Sequence, residues 1–377
     1  MIYYVGYYKS NNIDDYKKSG SNAASFKMGY VIRLVKSLEE KITIVSWCPS
    51  DRYGITKKRE IQVGENQKEV YLPTVKIKKM PMRITAKFRN RALYKYLIKN
   101  IKKDDTVIVY HAPSISNAIM KAKKKIGFNL ILEVEEIYSV NPKILNAEKS
   151  RKIEEKIINA ADSYIIVNDL IYDKYINNGK PYMVLYGVYD GCVLKENASN
   201  TNSNIQLLFS GSIDKVRGVG LAVEIAKHLN GNYQLNICGT GNSKDKEDLL
   251  QSIEKHNKAK QGCEIVYHGE LSESQLKDLV LSCDIGLNLQ DVSNPFEAVS
   301  FPSKITFYLQ HGLSVVSTKM SSVINSKLAK SVRFVCGGPK EVASQIMDFE
   351  PIDKKYNVSI MKLLDEQAKQ SLRNFIY

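Results

Sequence analysis

Residues 300–312 read SFPSKITFYLQHG, and residues 313–318 continue LSVVST. Pro302 suits the first turn of a helix, because the N–H it lacks would have no partner there. Ser303 and Lys304 then place a hydroxyl, free backbone N–H groups and a cation at the positive end of the helix dipole. The body, ITFYLQ, is apolar enough to pack under a sheet, Gly312 offers a C-terminal stop, and a β-branched strand follows at once. The stretch therefore predicts a parallel α/β layer in which a helix start is fitted to an anion, although the same residues would also suit an ordinary capped helix.

Outward from this stretch the pattern repeats. QLLFSGS, YQLNICG, CEIVYHG, DIGLNLQ and LSVVST read as strands with helices between them. In the first half IYYVGYY, KITIVSW, TVIVYHA, NLILEVEEIY and SYIIVND read the same way, with a helix from Ser25 to Leu38 and further helices after the later strands. Strands separated by helices of ordinary length imply parallel sheets covered on both faces. The polar run from Glu196 to Asn204 has little to anchor it and reads as a linker. Two doubly wound domains are expected, over 1–195 and 205–350, with a last helical segment over 351–377. At 377 residues the chain is too long for one ordinary core.

Composition narrows the function. With 44% hydrophobic and 25% charged residues the chain is a folded protein, and no apolar run is long enough to span a bilayer. MIYYVGYYKS lacks the marks of a cleavable leader, so a cytoplasmic location is expected. The six cysteines (Cys48, Cys192, Cys238, Cys263, Cys283 and Cys336) never form CxxC and read as reduced thiols. HExxH and DxD are both missing, so no metal site is expected.

The net charge of +15 asks for a polyanionic partner. Between Lys76 and Lys103 there are eleven Lys or Arg and no acid. Arg83, Lys87, Arg91, Lys95, Lys99 and Lys103 recur every four residues there, which on a helix makes a slowly turning stripe. With Phe88, Tyr96 and Leu97 beside it, the segment suits an anionic membrane surface, while a solvated helix face is the plainer alternative. Nucleic acid is the weaker partner, because no RNA-binding or zinc pattern accompanies the charge.

Three loops of the second half suit phosphate. GSIDKVRGVG puts Lys215 and Arg217 between a strand end at Gly211 and a helix beginning near Val219. ICGTGN offers Gly239 and Gly241, but Lys244 stands where a dinucleotide fingerprint needs its third glycine, so NAD binding is not indicated. The third loop is the Pro302 turn.

In that order, GSxxxxRG, ICGTG, IVYHGEL, SESQLKDLVLSCDIGLNL and FPSKITFYLQHGLSVVST resemble the nucleotide-sugar domain of family 4 retaining glycosyltransferases, over nearly all of 207–342. The resemblance implies the GT-B fold, an α/β architecture of two facing Rossmann-like domains with a cleft between them, the last helix crossing back to the first domain. It implies a nucleoside diphosphate sugar as donor substrate with no further cofactor, a saccharide acceptor that is lipid-linked, and surface polysaccharide or glycan assembly at the inner membrane face.

Carried over by residue, it places Arg217 on the donor diphosphate and Ser212 where a second basic residue is usual, with Lys215 as its substitute. His268, Gly269, Glu270 and Leu271 match the nucleobase segment, and Pro302, Ser303 and Lys304 match the phosphate turn. Two glutamates of the family fall on Val299 and Phe307 here, and Glu297 stands nearby as a partial replacement. Gly20, Ser21 and Asn22 match the small-residue loop on the acceptor side. Glu135 and Glu136 stand where the family carries a histidine and an acid, and as paired carboxylates at a strand mouth they are candidates to deprotonate an acceptor hydroxyl. Their alternative is a bond to a loop or a lysine. His111 ends its strand on the same side. The missing glutamates also suit a catalytically silent GT-B subunit that binds a partner transferase.

Overall fold

A computed structural model describes residues 1–10, 22–47, 54–76, 82–140, 147–191, 194, 204–293 and 298–377. Contacts divide the chain into two compact units, Met1–Val188 with Glu366–Tyr377, and Tyr189–Asp365. Unit 1 runs β1 (Ile2–Val5), α1 (Asn22–Lys36), β2 (Ile42–Trp47), β3 (Gly54–Ile55), β4 (Arg59–Val63), β5 (Gln67–Leu72), β6 (Val75–Lys76) and α2 (Met82–Asn100). It continues through β7 (Thr106–Tyr110), α3 (Pro113–Ile126), β8 (Asn129–Val134), α4 (Ala147–Ala160), β9 (Ser163–Ile166), α5 (Asp169–Ile171) and β10 (Tyr182–Val184). Unit 2 begins with β11 (Ile205–Ser210), α6 (Val219–Ala226), β12 (Tyr233–Cys238), α7 (Ser243–Ala259), β13 (Glu264–Tyr267), α8 (Glu273–Leu281) and β14 (Ile285–Asn288). There follow α9 (Ser303–Gln310), β15 (Ser314–Thr318), α10 (Ser321–Ile324), β16 (Val332–Val335), α11 (Pro339–Met347) and α12 (Lys354–Ile376), whose residues from Glu366 belong to unit 1.

Among the described residues, unit 2 holds a six-stranded sheet in the order β13-β12-β11-β14-β15-β16, with every pairing parallel. The order reverses between β11 and β14, and the crevice outside the carboxyl ends of such neighbours is where open α/β sheets take ligands. β14 is buried at all four positions, as a strand covered on both faces must be. The core around it joins Leu207, Phe209, Leu235, Ile237, Leu287 and Val316 from the sheet to Val223 and Ile346 from the helices.

Among the described residues, unit 1 has an eight-stranded sheet, β10-β9-β8-β7-β1-β2-β5-β4, parallel except where β4 pairs antiparallel with β5. Its order reverses between β1 and β7. The short β3 and β6 form a separate antiparallel pair.

Two readings of the sequence change. The strand expected over NLILEVEEIY stops at Val134, and Tyr138–Val140 closes a 3₁₀ turn, so Glu135 and Glu136 lie beyond the strand. The β4–β5 pair was not legible, because β5 buries Glu69 among its apolar residues. That carboxylate is satisfied by the Ser10 hydroxyl at 3.0 Å, the Gln67 amide at 2.9 Å and the Tyr71 hydroxyl at 2.6 Å, which is what its burial requires.

Helix α2 buries Leu93 and Leu97 and leaves Lys87, Arg91, Lys95 and Lys99 exposed, so most of the basic stripe does form on one helix; the side chain of Arg83 lies outside the described residues. Among the described residues, no helix is long and apolar enough to cross a membrane.

Candidate functional site

The loop after β11 begins at Gly211, whose φ of +134° excludes ordinary side chains. Asp214 then caps a 3₁₀ turn over Lys215–Arg217, its carboxylate accepting the Arg217 N–H at 2.8 Å. Gly218 closes the turn at φ +85°, and a Cβ there would lie 1.9 Å from the Leu289 carbonyl oxygen. The loop is thus pressed onto the chain leaving β14. Arg217 Nη1 donates to Gln290 Oε1 at 3.3 Å, which holds the guanidinium at the point where the sheet order reverses.

Helix α9 brings the second cation to the same place. Pro302 is its N-cap and no side chain caps the helix; the Ile305 N–H donates to the Pro302 carbonyl at 2.9 Å, and the N–H groups of Ser303 and Lys304 keep their donor capacity. Pro302 is buried and Ser303 exposed. The Lys304 side chain turns inward until Cε and Nζ lie 3.6 and 3.7 Å from where a Gly211 Cβ would stand. Although Lys304 as a residue is half-buried, its Nζ is shut away from solvent and has no hydrogen-bond partner among the described residues. Burial, and then the charge of Arg217, push this ammonium down to about 7 against the partial support of Asp214. Among the described residues, two cations in mutual reach with one acid beside them form a site short of negative charge.

Tyr308 fixes this arrangement. Its ring lies on Gly286 of β14, where a Cβ would come within 2.2 Å of ring carbon, and its oxygen accepts the Ser210 N–H at 2.9 Å. One side chain of α9 thus caps the end of β11.

The other expected donor residues sort by geometry. A Cβ on Gly239 would meet the Gly211 carbonyl oxygen at 1.8 Å, and one on Gly241 the Ile213 carbonyl oxygen at 2.3 Å. Close packing of two backbone loops accounts for this GxG. His268 turns back to Asn236, with Nε2 2.9 Å from Oδ1, and burial pulls the imidazole below its ordinary value. Gly269 has open space at its Cβ position and a φ of +72°, with Glu270 exposed and Leu271 half-buried after it. Ser212 is exposed at the loop start. The Lys215 side chain and all of Glu297 lie outside the described residues. Val299 is buried, and Phe307 packs its ring 4.7 Å from that of His311, so apolar side chains occupy both glutamate positions.

In unit 1, Gly20 and Ser21 lie outside the described residues, and Asn22 opens α1. His111 is buried with Nε2 3.6 Å from Glu154 Oε1, and desolvation pushes it down to about 4. Glu154 in turn accepts the Tyr138 and Ser139 N–H groups at 2.8 and 3.0 Å, so this pair holds the 3₁₀ turn.

The charge of Glu135 reaches Glu133 inside β8, a pairing that the sequence reading did not offer. Glu135 Oε1 lies 3.3 Å from Lys27 Nζ, and Lys27 also donates to the Leu185 carbonyl. Glu133 Oε2 accepts the Tyr4 hydroxyl at 2.5 Å, and burial together with Glu135 pushes its carboxyl up to about 8. Glu136 is half-buried beside them.

Sequence reasoning passed over Lys27, Glu133 and Tyr4, since an acid inside an apolar strand reads as a break in pattern. It also passed over Tyr7, beyond the end of β1, and Trp47, the last residue of β2, whose rings sit 4.8 Å apart with Arg89 5.8 Å from the Tyr7 centroid. A tryptophan ending a strand was the available signal.

No protein-family model matches the chain, and no curated protein sequence does. Solved structures do match. Sucrose-phosphate synthase from Thermosynechococcus elongatus superposes with a TM-score of 0.66 at 11% identity, covering 99% of this chain and 94% of that one. A UDP-forming α,α-trehalose-phosphate synthase from Burkholderia xenovorans, in complex with glucose-6-phosphate, gives 0.69 at 10% identity over 100% and 98%. HepE from Anabaena, in complex with UDP, gives 0.64 at 12% identity over 100% and 99%.

The fold is GT-B. Within this GT-B chain the paired cations stand at the sheet reversal of unit 2, the kind of place where α/β sheets take ligands.

Proposed function

We propose that this protein is a glycosyltransferase of the family 4 kind, moving a sugar from a nucleoside diphosphate sugar to a saccharide acceptor with retention at the anomeric carbon. The observation that carries the reading is Lys304. A buried ammonium without a hydrogen-bond partner among the described residues, beside a second cation and a helix start with no side-chain cap, is completed by a diphosphate. Uridine is the nucleotide to try first, because HepE was solved with UDP and the trehalose-phosphate synthases are UDP-forming.

As the bond from anomeric carbon to phosphate oxygen breaks, negative charge grows on the departing diphosphate. Lys304, Arg217 and the Ser303 and Lys304 N–H groups of α9 are fixed before the reaction and stabilise that charge as it appears. The reading assigns this work to fixed cations and dipoles without a metal ion. Unit 1 takes the acceptor, and the basic face of α2 suits an acceptor carried on a lipid at the inner face of a membrane, in polysaccharide assembly. The protein itself is then cytoplasmic and peripheral.

The test is a thermal-shift series with UDP, GDP, CMP, ADP and dTDP sugars, followed by turnover with the sugar that binds. One nucleotide should raise Tm by mass action, and Arg217→Ala and Lys304→Ala should abolish the rise while the unliganded proteins still melt cooperatively. No shift with any nucleotide sugar would overturn the reading. The anomeric configuration of the product, read by NMR, decides retention.

A second reading is favoured by Val299 and Phe307, which put apolar groups at both family glutamate positions. On it the chain is a catalytically silent GT-B subunit. Binding of a nucleotide sugar without hydrolysis or transfer, until a partner transferase is added, would select that reading.

A further inference from the structure

Beside α2 in unit 1 lies a groove of about 510 Å³, within the range of ~300–1,000 Å³ typical of small-molecule sites. Its floor is apolar: Leu72 at the end of β5, and Phe88, Ala92 and Tyr96, which succeed one another every four residues along α2. Arg91, Lys95 and Lys99 line it too, also spaced by four and offset by three from the apolar row, so a cationic ridge runs beside an apolar trough.

The two rows differ in how far their needs are met. Lys58, across the groove, stands 5.3 Å from the Tyr96 ring centroid and pairs with Glu60, which also takes Lys68 at 2.6 Å. Arg91, Lys95 and Lys99 have no acid partner among the described residues. Phe88 keeps 36% of its surface exposed. Phe88, part of the trough, thus stands open to solvent beside these cations. A hydrophilic polyanion would satisfy the cations and leave the trough wet, and an uncharged chain would do the reverse.

We propose that this groove binds an anionic lipid of a membrane surface, its phosphate or carboxylate head on Arg91, Lys95 and Lys99 and the first part of one hydrocarbon chain along Phe88, Ala92 and Tyr96. The groove deepens the membrane element of the function proposed above and names the residues that carry it. Its chemistry stands without the transferase reading, which supplies only its use. The charges draw the protein to the surface, and the trough, by burying hydrocarbon, holds it there.

The experiment is sedimentation of the full chain with vesicles of neutral phosphatidylcholine, and with vesicles in which about a third of the lipid is anionic phosphatidylglycerol, at low and high salt. Wild type should bind the anionic vesicles alone and retain part of that binding in high salt, where screening removes the purely electrostatic share. The Arg91→Gln, Lys95→Gln, Lys99→Gln triple variant, altered only at exposed positions, should lose about a hundredfold in partition, at about the strength expected per cation near such a surface. Phe88→Ser should lose about tenfold and should lose the salt-resistant part entirely.

Equal binding to neutral vesicles, an unaffected triple variant, or an unaffected Phe88→Ser variant would each overturn the proposal. So would full competition by free inorganic phosphate, which marks a simple anion site. A UDP-sugar thermal shift measured on the same preparations separates the two readings: vesicle binding without a nucleotide shift keeps the groove and removes the transferase, and a nucleotide shift without vesicle binding does the opposite.

Discussion

Lys304 Nζ lies 4.0 Å from the centroid of the Phe209 ring. A cation over an aromatic face is held by the ring quadrupole, an attraction of ~0.5–2 kcal/mol that compensates only in part for lost water. Without an anion, the folded protein carries this group at a cost. Its consequences can be measured.

Lys304→Met should stabilise the unliganded protein at pH 6.5 by about 1–4 kcal/mol, the usual gain when an apolar side chain replaces a buried charge. The folded-state value is lowered from 10.5 to about 7. Below pH 7 both folded and unfolded chains carry the charge, and burial penalises the folded one. As pH rises from 7 through 10.5 the folded chain releases its proton first, so wild-type stability rises and the advantage of the variant shrinks. Urea melts at pH 6.5 and 9.5 check this, and equal differences at both would contradict it.

Binding of a nucleoside diphosphate should draw a proton onto Lys304. At pH 8 the free site is mostly neutral, and a bound diphosphate favours the ammonium, so close to one proton should be taken up and affinity should fall as pH rises above 7. Calorimetry at pH 8 in two buffers of different ionisation enthalpy measures the uptake, and Lys304→Met should show none.

Gly218→Ala and Gly220→Ala, two residues apart, should have opposite signs. At Gly218 the new methyl meets the Leu289 carbonyl at 1.9 Å with φ at +85°, for a loss of roughly 2–4 kcal/mol. Gly220 lies in α6 with nothing near its Cβ position, and alanine there should gain about 0.5–1 kcal/mol from helix propensity. Melting temperatures of the two variants settle the matter.

Glu133→Gln should flatten the pH dependence of unit 1. The carboxyl is raised from 4.5 to about 8, so across that window the folded chain holds a proton that the unfolded chain has lost, and stability falls as pH rises. The variant cannot ionise and should exceed wild type by roughly 1–3 kcal/mol at pH 8.5 while differing little at pH 4.5. Tyr4 keeps an acceptor in the glutamine oxygen. An advantage that does not change with pH would argue against burial of the charge as the cause.

The alternation of buried strands and covering helices was legible, because parallel strands closed on both faces read as unbroken apolar runs, as in TVIVY and LLF. So was the cationic pair, since Arg217 and Lys304 stand in loops whose glycines and proline mark strand exits and a helix start. What could not be read was partnership. Nothing in ILEVEEIY says that Glu133 meets Tyr4 and Glu135 meets Lys27, because those partners come from other elements. Nor does ICGTG say that both of its glycines let one loop rest on another. The β4–β5 pair escaped for a related reason: a glutamate buried by three hydrogen-bond donors looks, in sequence, like an exposed one.

Tyr308 ties the helix that bears Lys304 to the end of the strand that opens the Arg217 loop. Chain segments nearly a hundred residues apart are thereby set in register when the domain folds. A guest anion would find its seat already shaped, and recognition would turn on charge and fit with little ordering left to do. Cutting that tether with phenylalanine should strand the buried Ser210 N–H, lower stability by about 1–3 kcal/mol and blur the seat.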